Sequence, residues 1–320
     1  MQTKTLNTRP FNAIVDASSE RLGLWLMVAG GALLGTIGVF VQEAGQHPLI
    51  TVWFRCAFGA LALFLWSAAT GKLKDLRLTG KSLWVACATG CLMLLNWTMF
   101  FAAIPRTSIA VATVVFHIQP IWVILFSAIF LREPVPTSQW LATPVALCGL
   151  ALTTGLFDDM TSTHLAGSEY ITGLLLCMGG SLSYAAVTLL AKSRQVTNSF
   201  TLSFWQCGVG TVVLAWAPFV IGWPQQPSVW GWLAGLGVIH TGLAYVILFA
   251  GMARLTLGKT AVLQFVYPLA AVLFDWGVYG TKLSIVQIAG VSLMGLAVWK
   301  IREPSRSEQR QLFSSRTDNC

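Results

Sequence analysis

The stretch AIPRTSIAVATVVFHIQPIWVILFSAIFLREPVPTSQWLATPVALCGLAL, residues 103–152, contains two long apolar runs separated by a short polar loop. A bilayer core about 30 Å thick needs about 20 apolar residues per helix, and the runs at 108–130 and 139–156 are close to that length. Pro120 interrupts the first run near its middle. A proline there removes one backbone hydrogen bond and clashes with the carbonyl four residues earlier. The stretch therefore predicts a kinked transmembrane helix followed by a second transmembrane helix.

The rest of the chain has the same character. Ten apolar segments have the length of membrane helices: 22–41, 49–69, 82–103, 108–130, 139–156, 170–191, 200–222, 229–251, 258–280 and 285–301. Of the 320 residues, 55% are hydrophobic and 10% are charged, whereas a soluble domain has roughly 25% charged residues to cover its surface. We therefore predict an all-α integral membrane protein with ten transmembrane helices and no room for a soluble catalytic domain.

The basic residues predict the orientation in the membrane. With the N-terminus inside, seventeen Lys and Arg residues fall in inner segments, and only Arg106 and Lys282 fall in outer loops. Cytoplasmic loops carry the excess of Lys and Arg, so both termini are predicted to be cytoplasmic and the protein to lie in the inner (plasma) membrane. The net charge of +8 resides in short loops and tails without a basic stripe along a helix, which argues against a nucleic-acid partner.

An internal repeat relates the two halves of the chain. A shift of 148 residues places Arg106 on Arg254, Pro120 on Pro268 and Gln139 on Gln287. Because each half has five helices, an odd number, the two halves must have opposite topology in the membrane, as in many secondary transporters. The predicted organisation is a cytoplasmic tail (1–21), a first five-helix repeat (22–156), an external linker (157–169), a second repeat (170–301) and a cytoplasmic tail (302–320).

Polar and aromatic side chains gather around the two prolines. Ionisable groups at membrane depth are costly and usually face a cavity; the alternative for each neutral His or Tyr is a hydrogen bond to a neighbouring helix. The predicted substrate-binding residues are Asn96, Trp97, His117, Tyr184, His240, Tyr245, Gln264 and Tyr267. Pro120 and Pro268 are predicted to permit the gating bends.

Two charged residues lie within predicted helices. Asp275 is the only acidic residue deep in a helix, and it is a candidate for carrying a coupling proton or pairing with a cationic substrate or with Arg55. Arg55 lies one to two turns from the outer end of helix two, where its long side chain can also reach the headgroups.

Metal and nucleotide sites are not predicted. Six cysteines lie within apolar runs, and the pair Cys87 and Cys91 has no His or carboxylate close by in sequence, so neither a metal centre nor a disulfide framework is expected. The segment ARLTLGKT (253–260) ends like a phosphate-binding loop, but Ala253 stands where its first glycine belongs. No cofactor and no ATP-binding subunit are expected.

Two segments carry a family resemblance. VWFRCAFGALALFL (52–65), with an arginine in helix two, and the stretch 103–152, with Pro120 and Glu133, resemble the drug/metabolite transporter superfamily in its ten-helix EamA-type form. The resemblance implies a transporter fold similar to that of YddG-type amino-acid exporters. The second half departs from the pattern: Tyr267 precedes Pro268 where a glutamate is common, and Gly280-Thr281 replaces a glycine–glutamate pair.

From these features we predict an exporter of small metabolites, with amino acids, including aromatic ones, as the favoured cargo, which works by alternating access at a midplane cavity. The partners are a small-molecule substrate and the lipid bilayer. One alternative is an exporter of amphipathic organic cations or drugs. Another is an intramembrane enzyme, for which His117, His240 and Asp275 are the candidate residues but have no recognised catalytic spacing. We therefore predict that the protein is not an enzyme.

Overall fold

The computed structural model describes residues 17–107, 109–133, 135–154, 168–192, 198–280 and 283–302. Within these ranges the chain forms no strand, two short 3₁₀ helices (Leu73–Leu76 and Ile104–Arg106) and ten long helices, several of them interrupted. They are α1 (Ala17–Gly35, Ile37–Ala44), α2 (Pro48–Ala69), α3 (Gly80–Ala103), α4 (Ile109–Phe116, Gln119–Phe130), α5 (Thr137–Thr153), α6 (Ser168–Ala191), α7 (Ser199–Val213, Ala217–Ile221), α8 (Pro227–Gly235, Leu236–Leu243, Ala244–Met252), α9 (Leu257–Leu263, Val266–Tyr279) and α10 (Ile285–Arg302). Most of both predicted tails and of the predicted linker lies outside the described residues.

The prediction of an all-helical membrane fold is confirmed. Eight helical spans in the described part of the chain are long and apolar enough to cross a membrane. α5, with 17 residues, and the apolar part of α10, Ile285–Lys300, are shorter. These two helices pack against one another through Gly149 and Gly290, and a Cβ on Gly149 would lie 2.7 Å from the carbonyl oxygen of Gly290.

The two repeats are interlocked. α1 packs on α8 and α9, while α6, the first helix of the second half, packs on α3 and α4. The first helix of each repeat therefore contacts the third and fourth helices of the other repeat. Glycines permit these close approaches: a Cβ on Gly31 would lie 2.9 Å from Val266 of α9, and one on Gly180 would lie 3.3 Å from the carbonyl oxygen of Asn96 in α3.

α4 and α9 are broken at corresponding positions. In α4 the α-helical pattern stops after Phe116 and resumes at Gln119, just before Pro120. In α9 it stops after Leu263 and resumes at Val266, two residues before Pro268. A proline has no N–H to bond the backbone carbonyl four residues earlier, and its ring clashes with that carbonyl. The carbonyls concerned belong to Phe116 and Gln264, and the two breaks lie at these residues.

α8 contains a wide, π-helical stretch at Leu236–Leu243. Thr241 donates a hydrogen bond from Oγ1 to the carbonyl oxygen of Leu236, five residues back, at 2.9 Å. Such stretches are rare and are often found at functional sites.

Candidate substrate site between the two repeats

The breaks of α4 and α9 face one another across the repeat boundary. The rings of His117 and Tyr267 are stacked with their centroids 6.1 Å apart. Gln119 donates a hydrogen bond from Nε2 to Oε1 of Gln264, and Gln264 in turn reaches Oγ1 of Thr188 in α6 at 3.4 Å. The two interrupted helices are thus connected through polar and aromatic side chains.

The tautomer of His117 follows from its hydrogen bond. Nδ1 lies 2.7 Å from the carbonyl oxygen of Thr113, which only accepts, so Nδ1 carries the proton and donates it. In the neutral ring Nε2 is then an acceptor. The side chain is buried, and its ring edge also contacts Phe116.

A second aromatic group lies at the junction of α2, α3 and α8. Trp97 and Tyr245 have ring centroids 6.5 Å apart, and the guanidinium carbon of Arg55 is 4.8 Å from the centroid of the Trp97 ring. Tyr245 belongs to the cluster of buried side chains against which Trp97 and Tyr267 both pack, so this group and the His117–Tyr267 pair belong to one region of the protein. Tyr184 adjoins the region through Phe116, at 6.4 Å between ring centroids.

Two of the predicted binding residues are engaged in helix packing. Asn96 is buried and donates from Nδ2 to the carbonyl oxygen of Gly180 at 2.9 Å. His240 is fully buried, and its Nε2 lies 2.7 Å from Oγ1 of Thr36 at the break in α1. That hydroxyl already donates to the carbonyl oxygen of Leu33, so His240 donates to it. A role for either side chain in binding substrate stays a prediction.

Arg55 is not at the membrane surface. The alternative that its side chain reaches the headgroups is wrong, because the residue is only 5% exposed and its Nε donates to Oγ1 of Thr241 at 3.1 Å. Asp275 is exposed near the end of α9, and among the described residues it forms no ion pair with Arg55. A coupling role for Asp275 stays a prediction.

The first half of α9 is tightly enclosed at the end of the bundle where α1 begins and α10 ends, which we call the termini end. Lys259, whose side chain is 6% exposed, forms an ion pair with Glu20 of α1. Oε1 of Glu133 accepts a hydrogen bond from the backbone N–H of Leu257 at 3.1 Å. A carboxylate is stabilised at this position, because it lies at a helix N-terminus.

Lys192, just after α6, adds a further contact at this end, because it donates a hydrogen bond to the carbonyl oxygen of Leu255. Burial lowers the pKa of the Lys192 ammonium, and the nearby Glu133 carboxylate opposes that shift.

The second half of α9 has little cover. Every residue from Leu273 to Gly280 is exposed, whereas most residues of the first half are buried. The repeat equivalent of Asp275 is Ser127 in α4, which is completely buried. The bundle is therefore closed around α9 at the termini end and loosely packed around it at the opposite end.

Several residues at this site escaped the sequence prediction. They are neutral polar residues within apolar runs, and such runs do not indicate the helix face on which each residue lies: Gln119, Thr188, Gln206 and Thr241. For Arg55 a signal existed, because no other Lys or Arg lies within the predicted helices away from their ends. Its inward direction depends on the positions of α3 and α8, and these are not apparent from the pattern of α2.

Known proteins resemble the chain along most of its length. The family model described as "EamA-like transporter family" matches residues 21–155 and 171–302. The uncharacterized transporter YxxF of Bacillus subtilis (strain 168) is 27% identical over 299 residues, which cover 92% of this chain and 94% of the relative. The pseudopaline exporter CntI of Pseudomonas aeruginosa (strain UCBPP-PA14) is 25% identical over 281 residues, which cover 86% of this chain and 94% of the relative.

A solved crystal structure has the same fold. It superimposes with a TM-score of 0.73 at 17% sequence identity and covers 88% of this chain and 96% of its own. At this level of identity the likeness concerns the fold alone. The family model, however, matches each half of the chain once and covers most of its residues, and the chain therefore belongs to the EamA-like transporter family.

Proposed function

We propose that this transporter exports amino acids, including aromatic ones, across the inner membrane by alternating access. The observation that carries the proposal is the stacking of His117 on Tyr267 beside the breaks of α4 and α9. A bend at either break would move one ring relative to the other, so a change of conformation would directly change the binding site. Substrate sites at discontinuous helices between inverted repeats are a general feature of secondary transporters.

The chemistry of the site suits a zwitterion with an apolar side chain. Nε2 of His117 can accept a hydrogen bond from an ammonium group, since Nδ1 holds the proton. The rings of Trp97, Tyr245 and Tyr267 offer flat apolar faces, which are suited to stacking against aromatic or branched side chains.

The uneven packing of α9 supports alternating access. The Glu20–Lys259 ion pair and the Glu133–Leu257 hydrogen bond close the termini end, while Leu273–Gly280 is exposed at the opposite end. We interpret this arrangement as a state that faces the end opposite the termini. The other state would require the termini-end contacts to break and the exposed half of α9 to pack.

The charged loops support an orientation with cytoplasmic termini. Described loop residues at the termini end include Lys72, Lys74, Arg77, Arg132, Lys192 and Arg254, whereas Arg106 lies at the opposite end. By the positive-inside tendency the closed end is cytoplasmic. The direction of transport is suggested by the relative named as a pseudopaline exporter.

The rival substrates fit the site less well. An organic cation would lie close to the buried guanidinium of Arg55; two like charges about 6 Å apart repel by about 3 kcal/mol at an effective dielectric constant of about 20. For an intramembrane enzyme, His117 and His240 would have to converge, but His240 is held by Thr36.

The test is counterflow in proteoliposomes. Purified protein is reconstituted into vesicles loaded with unlabelled amino acids, and trace labelled phenylalanine or leucine is added outside. We expect saturable uptake, with His117→Ala and Tyr267→Ala each reducing it at least tenfold. Gln225→Ala, in an exposed loop, is the matched control and should retain uptake.

The outcomes separate the candidates. Folding of each variant is checked by its elution as a monodisperse peak in detergent. If folded wild-type protein exchanges none of the amino acids but exchanges a labelled organic cation, the amino-acid proposal is wrong and the alternative substrate class is correct. Exchange of neither class would refute both proposals.

A further inference from the structure

Arg55 is a buried cation within a membrane helix. It lies seven residues after the start of α2 at Pro48, about 10 Å along the helix axis, and it is 5% exposed. A charge at such a depth is expensive and marks a functional site when no structural partner neutralises it.

The described partners of Arg55 are all neutral. Its Nε donates to the hydroxyl of Thr241, and its guanidinium lies over the ring of Trp97. The ion pairs found among the described residues are Arg106–Glu169 and Lys259–Glu20, and neither involves Arg55. A hydroxyl and an aromatic ring stabilise a cation only partly, so no counter-ion among the described residues balances the positive charge at this position.

A second unused donor borders a cavity that the two contacts of Arg55 also line. The cavity lies between α2, α3, α7 and α8, and Trp97 and Thr241, the two contacts of Arg55, both line it together with Gln206. Gln206 is 7% exposed, and no described residue accepts a hydrogen bond from its Nε2. A buried amide donor without an acceptor costs about 1–3 kcal/mol, which a ligand with an acceptor atom would remove.

The remaining walls of the cavity suit an organic ligand. They include the apolar side chains of Met93 and Leu94 and the ring of Tyr245. The volume of about 10 Å³ is that of roughly one water molecule. A larger ligand therefore needs the helices to separate here, which is the movement that the proposed transport cycle requires.

We infer that Arg55 and Gln206 bind the carboxylate of the transported substrate. A carboxylate has one negative charge and two acceptor oxygens, and it matches one guanidinium and one amide N–H. A phosphate group would want further cations, and the described lining contains none. The inference rests on the proposed function and adds to it the chemical group that the transporter recognises.

The first experiment compares an amino acid with analogues that lack its carboxylate. Counterflow of labelled phenylalanine is inhibited with unlabelled phenylalanine, phenylalaninamide or phenethylamine. For wild-type protein we expect the amide and the amine to inhibit at least tenfold less strongly than the acid. In Arg55→Met and Gln206→Leu this preference should shrink to less than threefold, whereas Arg55→Lys should retain part of it. The matched controls Arg106→Met and Gln225→Leu, which alter exposed residues, should keep the full preference.

The results distinguish failure of the inference from failure of the proposed function. If the wild type exchanges phenylalanine but the amide competes equally well, the carboxylate inference is wrong while the proposed function stands. If wild-type protein exchanges no amino acid, the proposed function fails and the inference falls with it.

The second experiment needs no substrate. Gln206→Glu places a carboxylate at the cavity that the two contacts of Arg55 line and should neutralise Arg55, so we expect the melting temperature of the purified protein to rise by about 3 °C. Gln119→Glu is the matched control, because Gln119 is equally buried but bonds to Gln264; its melting temperature should fall. A fall in both variants would contradict the inference.

Discussion

The amide groups of Gln119 and Gln264 are hydrogen-bonded to one another, which connects the break in α4 to the break in α9. The two residues are not equivalent under the internal repeat, because a shift of 148 places Phe116 on Gln264. The pair therefore arises from how the two halves meet and was not visible as a repeated motif. Since Gln264 also reaches Thr188, the connection continues into α6.

Replacing only one of these two glutamines should destabilise the protein more than replacing both. In Gln264→Leu the amide of Gln119 is left buried without its partner, at a cost of about 1–3 kcal/mol. In the double variant Gln119→Leu/Gln264→Leu part of that cost is recovered, and we expect a coupling energy of at least about 0.5 kcal/mol. Chemical unfolding in detergent of the wild type, the two single variants and the double variant measures this coupling energy. Additive effects would show that the two amides do not interact.

The crossing of α5 and α10 should not tolerate a side chain at Gly149. A Cβ there would lie 2.7 Å from the carbonyl oxygen of Gly290 and 2.9 Å from the backbone nitrogen of Met294, so Gly149→Ala should destabilise the protein by about 1–3 kcal/mol. Gly295→Ala in α10 is the control, because no atom lies within 4 Å of the added Cβ and alanine is the better helix former. Thermal unfolding should separate the two variants; equal melting temperatures would refute the close crossing.

Breaking the ion pair at the termini end should open that end. In Glu20→Gln the ammonium of Lys259, whose side chain is 6% exposed, loses its ion pair with Glu20. Removing one partner of a buried ion pair costs about 3–5 kcal/mol, so the closed state becomes less populated. We expect a thiol reagent to label Thr260→Cys faster in this variant, in a background whose native cysteines are replaced, because Thr260 is fully buried in the closed state. Arg106→Gln, which removes the exposed ion pair at the opposite end, should leave the labelling rate unchanged.

Asp275 offers a test of proton coupling. It is exposed on α9 near Tyr279, whose hydroxyl lies 3.3 Å from Oε1 of Glu43. If Asp275 carries the coupled proton, Asp275→Asn should abolish accumulation driven by a pH gradient while exchange without a gradient persists. Measuring both modes in the same vesicle preparation gives the answer. Undiminished gradient-driven accumulation in the variant would assign coupling to another group or to none.

The sequence predicts the helices far better than the side-chain contacts between them. Apolar runs of membrane length are a local property, and for that reason the predicted segments agree with the observed helices to within a few residues. Pro120 and Pro268 similarly act on their own backbone, so both interruptions were foreseen. Two other irregularities were not predicted. The interruption of α7 before Pro218 lies within an apolar run that shows no sign of it, and the π-helical stretch of α8 depends on contacts with other helices.

Which side chains meet depends on the way the repeats interlock. His117 and Tyr267 were predicted as binding residues and lie together, since both adjoin the repeated prolines. Asn96 and His240 looked the same by composition, yet the packing of α3 on α6 and of α8 on α1 engages them in helix-to-helix bonds. The direction of the Arg55 side chain could not be predicted for the converse reason. The sequence indicates its distance from the end of α2, but it does not indicate on which face of α2 the helices α3 and α8 lie.

The Glu20–Lys259 ion pair also bears on the timing of the proposed cycle. The repeat equivalent of Lys259 is Val111, so the opposite end has no corresponding lysine to pair when it closes. In the proposed cycle an empty carrier must separate the buried ammonium of Lys259 from the partly exposed carboxylate of Glu20 before it can accept cargo from the side of its termini, whereas the ion pair at the opposite end, Arg106–Glu169, is exposed. We therefore expect reloading to be the slow half of each turnover, so that the return of the empty protein would set the rate of the proposed export.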